Sequence, residues 1–241
     1  MKRLSTITSI IAAAAIVAGC QRAAPVVDNT TALADIPSVP ETKDIVPSAP
    51  GNSNKAQLLA SAEPFEGLTE AAFDPDQAKV AAAIAKAKSA APAVRPLLSA
   101  QGQAMFDQHM ADIRRAETNR TPADLALASV EIYRQLVTEG AGASPVPKEV
   151  SLLDYAGFRF TADLKATPSR WDDMAAAVDF AKSNWMVVKP QIKDATIAAK
   201  FQAALDNMGA AAAIKNADRA QASATAELDL VDVLEQSFNR H

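Results

Sequence analysis

The chain contains little cysteine, histidine, glycine or aromatic residue, and these shortages exclude several classes of protein. Its 241 residues include one cysteine, two histidines and eight glycines, and aromatic residues account for 5%. A single cysteine excludes an intramolecular disulfide framework and a multi-cysteine zinc or iron–sulfur site. Two histidines leave little for histidine-based catalysis or for a multi-histidine metal site.

The sequence also lacks an excess of positive charge and the common catalytic motifs. There are 24 Lys and Arg against 28 Asp and Glu, so the net charge is -4 and no nucleic-acid partner is expected. We find no nucleophile elbow, zincin motif, Walker loop, dinucleotide-binding glycine motif or haem-attachment motif. These absences favour a protein that is not an enzyme and has no cofactor. A hydrophobic fraction of 49% excludes a long disordered protein.

The first twenty residues combine a basic start, an apolar stretch and the only cysteine of the chain. Lys2 and Arg3 precede an apolar stretch over residues 4–18, which has the length of a signal-peptide core and is short for a membrane span. The stretch ends in Val17-Ala18-Gly19-Cys20, which contains the only cysteine of the chain. This segment resembles the lipobox of bacterial lipoproteins. The likeness covers only the first 20 residues.

The lipobox resemblance implies where the protein is located. In that family the cysteine thiol, here Cys20, receives a diacylglyceryl group, and cleavage removes residues 1–19 as a signal peptide. Acyl chains anchor a protein stably, since each buried CH₂ contributes about 0.8 kcal/mol. Residue 21 is Gln rather than Asp, which by the same resemblance implies the outer membrane, facing the periplasm. The expected partners are this membrane and an envelope protein.

Residues 20–57 are predicted to be a disordered tether. They contain five spread prolines and no sustained helical or strand period; these are Pro25, Pro37, Pro40, Pro47 and Pro50. Prolines at this density interrupt helices and sheet ladders. The tether would hold the folded part clear of the lipid surface.

Residues 58–241 are predicted to form an all-α domain. Apolar residues recur at spacings of three and four, which gives each helix one stripe to bury. We expect a compact bundle of about six or seven helices. An alternative is a stack of three αα-hairpins plus a capping helix, because Pro75, Pro122 and Pro168 open units 47 and 46 residues apart.

Several residues predict where individual helices begin, end and face. Asp74-Pro75 and Thr121-Pro122 are expected helix starts, and Pro92 is expected to end a helix. The segment 140–147 is a predicted loop, and Ser169 with Asp172 resembles a capping box. Trp171 and Trp185 are two heptads apart, which places both on one buried face.

The first candidate binding site is a copper site at Met105 and His109. These residues are four apart on one helix, and thioether and imidazole are ligands that copper accepts. Asp112 could orient the imidazole. A further ligand would come from another helix; the candidates are Met174, Met186, Met208 or a carboxylate. The alternative is that Met105 fills the core and His109 bonds to a carboxylate at a helix seam.

Two acidic groups and one polar group are also candidates. We expect the acidic residues of the last and fifth predicted helices to form solvated faces; these are Glu227, Asp229, Asp232 and Glu235, and Asp172, Asp173 and Asp179. Tyr133, Tyr155 and Arg159 are expected to be half-buried and to specify the fold, with Tyr155 and Arg159 in contact across one turn.

Together these patterns predict an envelope-anchored lipoprotein that faces the periplasm. Its domain would act as a non-enzymatic helical binding or scaffold module. The alternative is a periplasmic protein that binds a small ligand or copper in the bundle. An exposed apolar groove would favour a protein partner, and a pocket with convergent polar groups would favour a small ligand.

Overall fold

The structure, a computed structural model, describes residues 52–239, and this range contains helices and no strand. The helices are α1 (Asn52–Ala60), α2 (Glu63–Ala71), α3 (Gln77–Val94), α4 (Ala100–Asn119), α5 (Pro122–Glu139), α6 (Lys148–Lys165), α7 (Trp171–Val188), α8 (Ala195–Ala213) and α9 (Ala217–Asn239). Short 3₁₀ turns follow α3 at Arg95–Leu97 and α7 at Lys189–Gln191. The all-α class is confirmed. Helices α3–α9 correspond to the seven predicted helices, whereas α1 and α2 were not predicted.

The folded domain begins earlier than the boundary predicted at residue 58. Helix α1 begins at Asn52, so residues 52–57, assigned to the tether, are helical. The reason is tertiary: Leu58 is fully buried and α1 packs against α5. Cys20, the signal peptide and residues 20–51 of the predicted tether lie outside the described residues.

Three of the predicted helix boundaries need correction. The N-cap of α3 is Asp76, whose carboxylate accepts from the Ala78 N–H, while Asp74 accepts from the Asp76 N–H. Pro92 lies inside the last turn of α3, which continues to Val94. The predicted capping box does not form, because the N-cap of α7 is Arg170. Ser169 Oγ instead donates to the Leu164 carbonyl at 2.7 Å.

Two other boundaries agree with the sequence. Helix α5 begins at Pro122 directly after Thr121, with Asp124 in its first turn, where the helix dipole favours negative charge. The connection between α5 and α6 covers residues 140–147, as predicted. Proline at the first helical position loses nothing, because its missing N–H has no intrahelical partner there.

The helices pack as two groups that meet at α5 and α6. Helices α6, α7, α8 and α9 form a closed ring in which each contacts the next and α9 returns to α6. Helix α2 contacts α3 and α5, and α4 packs on α5. The contact between α6 and α9 joins helices distant in the sequence, whereas stacked repeats contact only their neighbours. The architecture is therefore a compact bundle.

Aromatic side chains pack in the core of each of the two helix groups. In the ring, Trp185 stacks on Phe201 at 4.5 Å between ring centroids and is 2% exposed. In the other group, Phe65 and Phe106 meet edge to face at 5.9 Å. Trp171, predicted to share the buried face of Trp185, is only partly buried, because it is the first residue of α7 and lies at the end of the bundle. None of the described helices is long and apolar enough to cross a membrane.

Candidate functional site

A polar cleft opens where the two helix groups meet. Helices α4, α5 and α6 and the start of α7 surround about 380 Å³. The lining combines an imidazole and eight side chains that can carry charge, namely His109, Asp112, Arg115, Asp124, Glu131, Arg159, Asp163, Arg170 and Asp173. A pocket with converging polar groups is the feature that indicates a ligand site.

Each arginine of the polar cleft is bonded to a carboxylate. Arg115 contacts Asp112 at 2.7 Å, which is one turn away on α4. The guanidinium of Arg170 donates to Asp124 at 2.6 Å, joining the start of α7 to the start of α5. Both pairs lie at the exposed rim of the cleft, where ion pairs contribute little to stability.

Arg159 belongs to a tighter network deeper in the cleft. Its Nη1 donates to Glu131 Oε1 at 2.6 Å and to the Tyr155 hydroxyl at 2.7 Å. The Tyr155 hydroxyl in turn donates to Glu131 Oε1 at 2.7 Å. Burial, followed by the Glu131 charge, raises the pKa of Tyr155 to about 12, so this hydroxyl stays protonated. The predicted contact between Tyr155 and Arg159, both on α6, is confirmed. Their shared acceptor, Glu131, belongs to α5, so the network joins α5 to α6.

Asp163, in the last turn of α6, is the buried carboxylate of the cleft. Its side chain is 1% exposed, and its Oδ2 atom has no hydrogen-bond partner among the described residues. The nearest cations are Arg159 Nε and Arg170 Nη1, each 3.8 Å from a carboxylate oxygen, beyond hydrogen-bond length. A buried acceptor without a partner costs about 1–3 kcal/mol, so its presence needs a reason.

The surroundings of Asp163 shift its titration. Burial is the main cause that raises the pKa of Asp163 to about 6, and Asp173 and Glu131 add to the rise. Arg159 and Arg170 oppose it. A carboxyl with a strongly perturbed pKa inside a cleft is a candidate binding or catalytic group.

His109 lies at the edge of the polar cleft. Its Nδ1 is 3.9 Å from Asp112 Oδ2, which is beyond hydrogen-bond length, so the predicted bond to a carboxylate is not formed. Burial, the largest cause, lowers the pKa of His109. The imidazole is therefore mostly neutral at pH 7.

Met105 faces a different part of the surface from His109. It is 40% exposed and lines a shallow groove with Leu152 and Phe180, so it is not a core filler. Among the candidate further ligands, Met174 and Met208 are in the core, and Met186 is 76% exposed. Within residues 52–239, no three His, Cys, Asp or Glu side chains are grouped to hold a metal. The copper site stays a prediction.

Glu227 corrects the prediction of a solvated acidic face on α9. It is fully buried, and neither carboxylate oxygen has a hydrogen-bond partner among the described residues. Glu227 lies on the same stripe as Ala224, Val231 and Leu234 and faces Gly157 of α6, where the missing side chain leaves room for the carboxyl. Asp229 and Asp232 are exposed and Glu235 half-buried, and the three Asp residues predicted on α7 are exposed.

Further acids with a raised pKa lie nearby: Asp154 interacts with Glu227, and Glu66 interacts with Asp154. Burial raises the pKa of Asp154 well above its usual range, and it does the same for Glu227. Glu66, at a smaller cleft between α2 and α9, has its pKa raised to about 7 by burial and by nearby carboxylates, Glu70 and Glu235 first among them. Burial favours the neutral, protonated form of these groups, so they act on stability rather than on charge recognition.

Asp163 was not predicted as a site residue from the sequence. Tyr155, Arg159 and Asp163 follow one another at intervals of four, which places them along one face of α6. That spacing was a usable signal for Asp163. Arg170 and Asp173 come from another helix, and only the packing of α6 against α7 brings them to the same cleft.

Comparisons with known proteins gave no relative of this chain. No family model, no curated protein and no solved structure matches it.

Proposed function

We propose that this chain is a lipid-anchored protein of the bacterial envelope that binds a small polar ligand in the polar cleft. The protein faces the periplasm from the outer membrane, and its helical domain is a non-enzymatic binding module. The anchor rests on the sequence around Cys20, and the binding role rests on the cleft.

Asp163 is the observation that supports ligand binding. A buried carboxylate oxygen without a hydrogen bond is unfavourable for a domain whose only need is to fold. It sits on a cleft with room for a small molecule and is surrounded by groups held in position by the Glu131 network. A ligand that donates a hydrogen bond to Asp163 would remove this cost, and such rigid surroundings are typical of binding sites that exist before the ligand arrives.

The binding role can be tested on the protein purified from its own envelope. Native mass spectrometry of the intact chain should show a small bound molecule. Asp163→Asn should lose it, and Asp179→Asn, which changes an exposed carboxyl of α7 outside the cleft, should keep it. A wild-type chain that carries no small molecule, or one that Asp163→Asn retains, contradicts the proposal. Bound copper that His109→Ala loses would instead support the copper hypothesis, and a co-purified protein would support the scaffold role.

The anchor is tested separately. Metabolic labelling with a fatty-acid analogue should mark the wild-type chain and leave Cys20→Ala unlabelled and uncleaved. An unlabelled wild type would overturn the lipid anchor and leave the cleft unaffected, because the cleft lies entirely within the helical domain.

A further inference from the structure

We propose that the ligand of the polar cleft carries an ammonium or guanidinium group, and that this cation binds Asp163 and Asp173. The inference depends on the function proposed above, because it names the chemistry of that ligand. It follows from the balance of charges in the cleft, from the unsatisfied acceptor and from the shape of the lining.

Acidic groups outnumber basic groups in the cleft. Five carboxylates and three guanidiniums line it. Hydrogen-bonded pairs at 2.6–2.7 Å occupy Asp112, Asp124 and Glu131 together with all three arginines. Asp163 and Asp173 are left without such a pair. The guanidiniums nearest to Asp163 are 3.8 Å away, and among the described residues Asp173 forms no ion pair within 4 Å. A ligand that completes this cleft must therefore bring positive charge.

The unsatisfied oxygen of Asp163 requires a hydrogen-bond donor as well as a positive charge. Asp163 Oδ2 is buried and accepts no hydrogen bond within the described chain. Ammonium and guanidinium groups carry several N–H donors and no acceptor. A hydrogen bond between such a cation and a carboxylate is about twice as strong as a neutral one. One cation can thus satisfy the acceptor and offset the excess negative charge.

An anionic ligand would find no free positive charge among the arginines of the cleft. It would need Arg115, Arg159 or Arg170, and each of these is already bonded to a carboxylate of the same cleft. To reach Arg159, an anion would have to replace the hydrogen bonds of that guanidinium to Glu131 and Tyr155. At the exposed Arg115 and Arg170 it would meet the partner carboxylates, Asp112 and Asp124, as like charges. The arginines therefore hold the carboxylates in position and are not available as anion receptors.

The apolar part of the lining limits the rest of the ligand. The apolar side chains of the lining are Ala116 of α4 and Leu127 and Ala128 of α5. Together with the acidic groups, these small and aliphatic side chains suit a short alkyl chain that carries the cation. The volume of about 380 Å³ is at the small end of the usual range for ligand pockets.

Equilibrium dialysis of the full chain tests the inference with four-carbon probes. The measured ligand is radiolabelled 1,4-diaminobutane at pH 8 and about 0.15 M salt, where interactions between distant exposed charges are screened. The competitors are 4-aminobutylguanidine, 1,4-butanediol and succinate, which share the chain length and differ in charge. The variants are Asp163→Asn and Asp173→Asn, with Asp179→Asn as the control on α7.

If the ligand is a cation, 1,4-diaminobutane should bind. Of the three competitors, only 4-aminobutylguanidine should displace it. Asp163→Asn should weaken binding about tenfold or more, the loss expected for one charged hydrogen bond. Asp173→Asn should weaken it less, and Asp179→Asn should match the wild type. Circular dichroism shows whether each variant is folded.

A pH series adds a second readout. Asp163 is faced by Arg159 of its own helix, Glu131 of α5, Arg170 and Asp173 at the start of α7, and His109 across the cleft. Since burial raises the pKa of Asp163 to about 6, lowering the pH from 8 to 5 should neutralise it and weaken diamine binding. Burial lowers the pKa of His109, and any charge that this imidazole gains on acidification would also oppose a bound cation. In Asp163→Asn the remaining pH dependence should be smaller.

Each other result overturns the inference in a recognisable way. If succinate or 1,4-butanediol displaces the diamine, and Asp163→Asn weakens the binding of that competitor as well, a cationic ligand is excluded. The cleft would then remain a binding site. Diamine binding that is equal in wild type and Asp163→Asn, or absent from both, would exclude Asp163 as the cation receptor. The proposed function itself fails if the envelope-purified chain carries no small molecule, or carries one that Asp163→Asn retains.

Discussion

At the residue scale, a single glycine allows a carboxyl group to lie between two helices. Gly157 of α6 faces Glu227, and a Cβ at position 157 would lie 2.2 Å from Glu227 Oε2 and 2.7 Å from Leu228. Glycine in the middle of a helix costs about 0.5–1 kcal/mol relative to alanine. The contact between α6 and α9 compensates this cost.

A matched pair of glycines tests this explanation. Gly157→Ala should lower the free energy of unfolding by about 1–3 kcal/mol, because the new methyl overpacks the interface despite its better helix propensity. Gly209→Ala, on α8, should raise it by about 0.5–1 kcal/mol, since its Cβ would meet Val178 at an ordinary 3.5 Å. Urea denaturation measures both. A stabilising Gly157→Ala would contradict the tight packing.

The two tryptophans differ in burial and should differ in their effect on stability. Trp185 is 2% exposed, stacks on Phe201, and its Nε1 donates to Gln202 at 3.0 Å. Trp185→Ala should cost about 3–5 kcal/mol, which lowers Tm by roughly 6–20 °C. Trp171→Ala should cost less than half as much, because Trp171 lies at the end of the bundle and is partly exposed. Equal losses in thermal melts would show that the two side chains are equally buried.

At the element scale, α1 extends the domain beyond the boundary that composition indicated. Its sequence, NSNKAQLLA, has a weak apolar stripe, and its stability comes from one fully buried leucine, Leu58. An isolated helix of nine residues is marginal in water, so α1 depends on its contact with α5.

Truncation should show the contribution of α1. A chain that starts at Ser61 lacks Leu58 and should lose about 2–5 kcal/mol relative to a chain that starts at Asn52, as large core truncations do. For a domain of this size that is a fall in Tm of roughly 5 °C or more. Thermal melts followed by circular dichroism measure it. Identical melting of the two chains would mean that α1 does not contribute to the folded core.

At the scale of the whole molecule, buried acids make stability depend on pH. Asp154 and Glu227 are buried between α6 and α9, and Tyr133, Glu66, Asp232 and Glu235 surround Asp154. Burial raises the pKa of Asp154 and Glu227 well above the usual range, and the pKa of Glu66 is about 7. Above pH 4.5 the folded chain therefore holds more protons than the unfolded chain, and the free energy of unfolding falls as the pH rises.

A charge-neutral variant isolates the part due to Glu227. In the wild type, stability should be greatest in mild acid and should decline from pH 4.5 upward through neutral pH. Glu227→Gln should make the slope of the free energy of unfolding against pH less steep by up to about 1.4 kcal/mol per pH unit. Asp229→Asn, on the exposed side of α9, should leave the slope unchanged. Denaturation at a series of pH values measures the slopes, and a wild type that gains stability from pH 5 to 8 would disprove the protonated core.

The position of the polar cleft also depends on the packing of the whole molecule, and the sequence predicted only part of its lining. The contact between Tyr155 and Arg159 was predictable, because both residues lie on one helix face. The participation of Glu131, Asp124, Arg170 and Asp173 was not, because these residues come from other helices and no local spacing relates them. Met105 and His109 share a helix face, yet the bundle exposes Met105 in one groove and places His109 at another cleft.

The sequence by itself determined the all-α class, the seven helices from α3 to α9 and the expectation of a lipid anchor at Cys20. These follow from local properties, since apolar periodicity, the helix-opening Pro122 and a short N-terminal motif each act within a few turns of chain. Tertiary structure decided that α1 is helical, that Glu227 is buried against Gly157 and that Asp163 has an unsatisfied oxygen in a cleft. The physical reason is that burial depends on the neighbour a residue meets, and that neighbour is set by how distant helices pack.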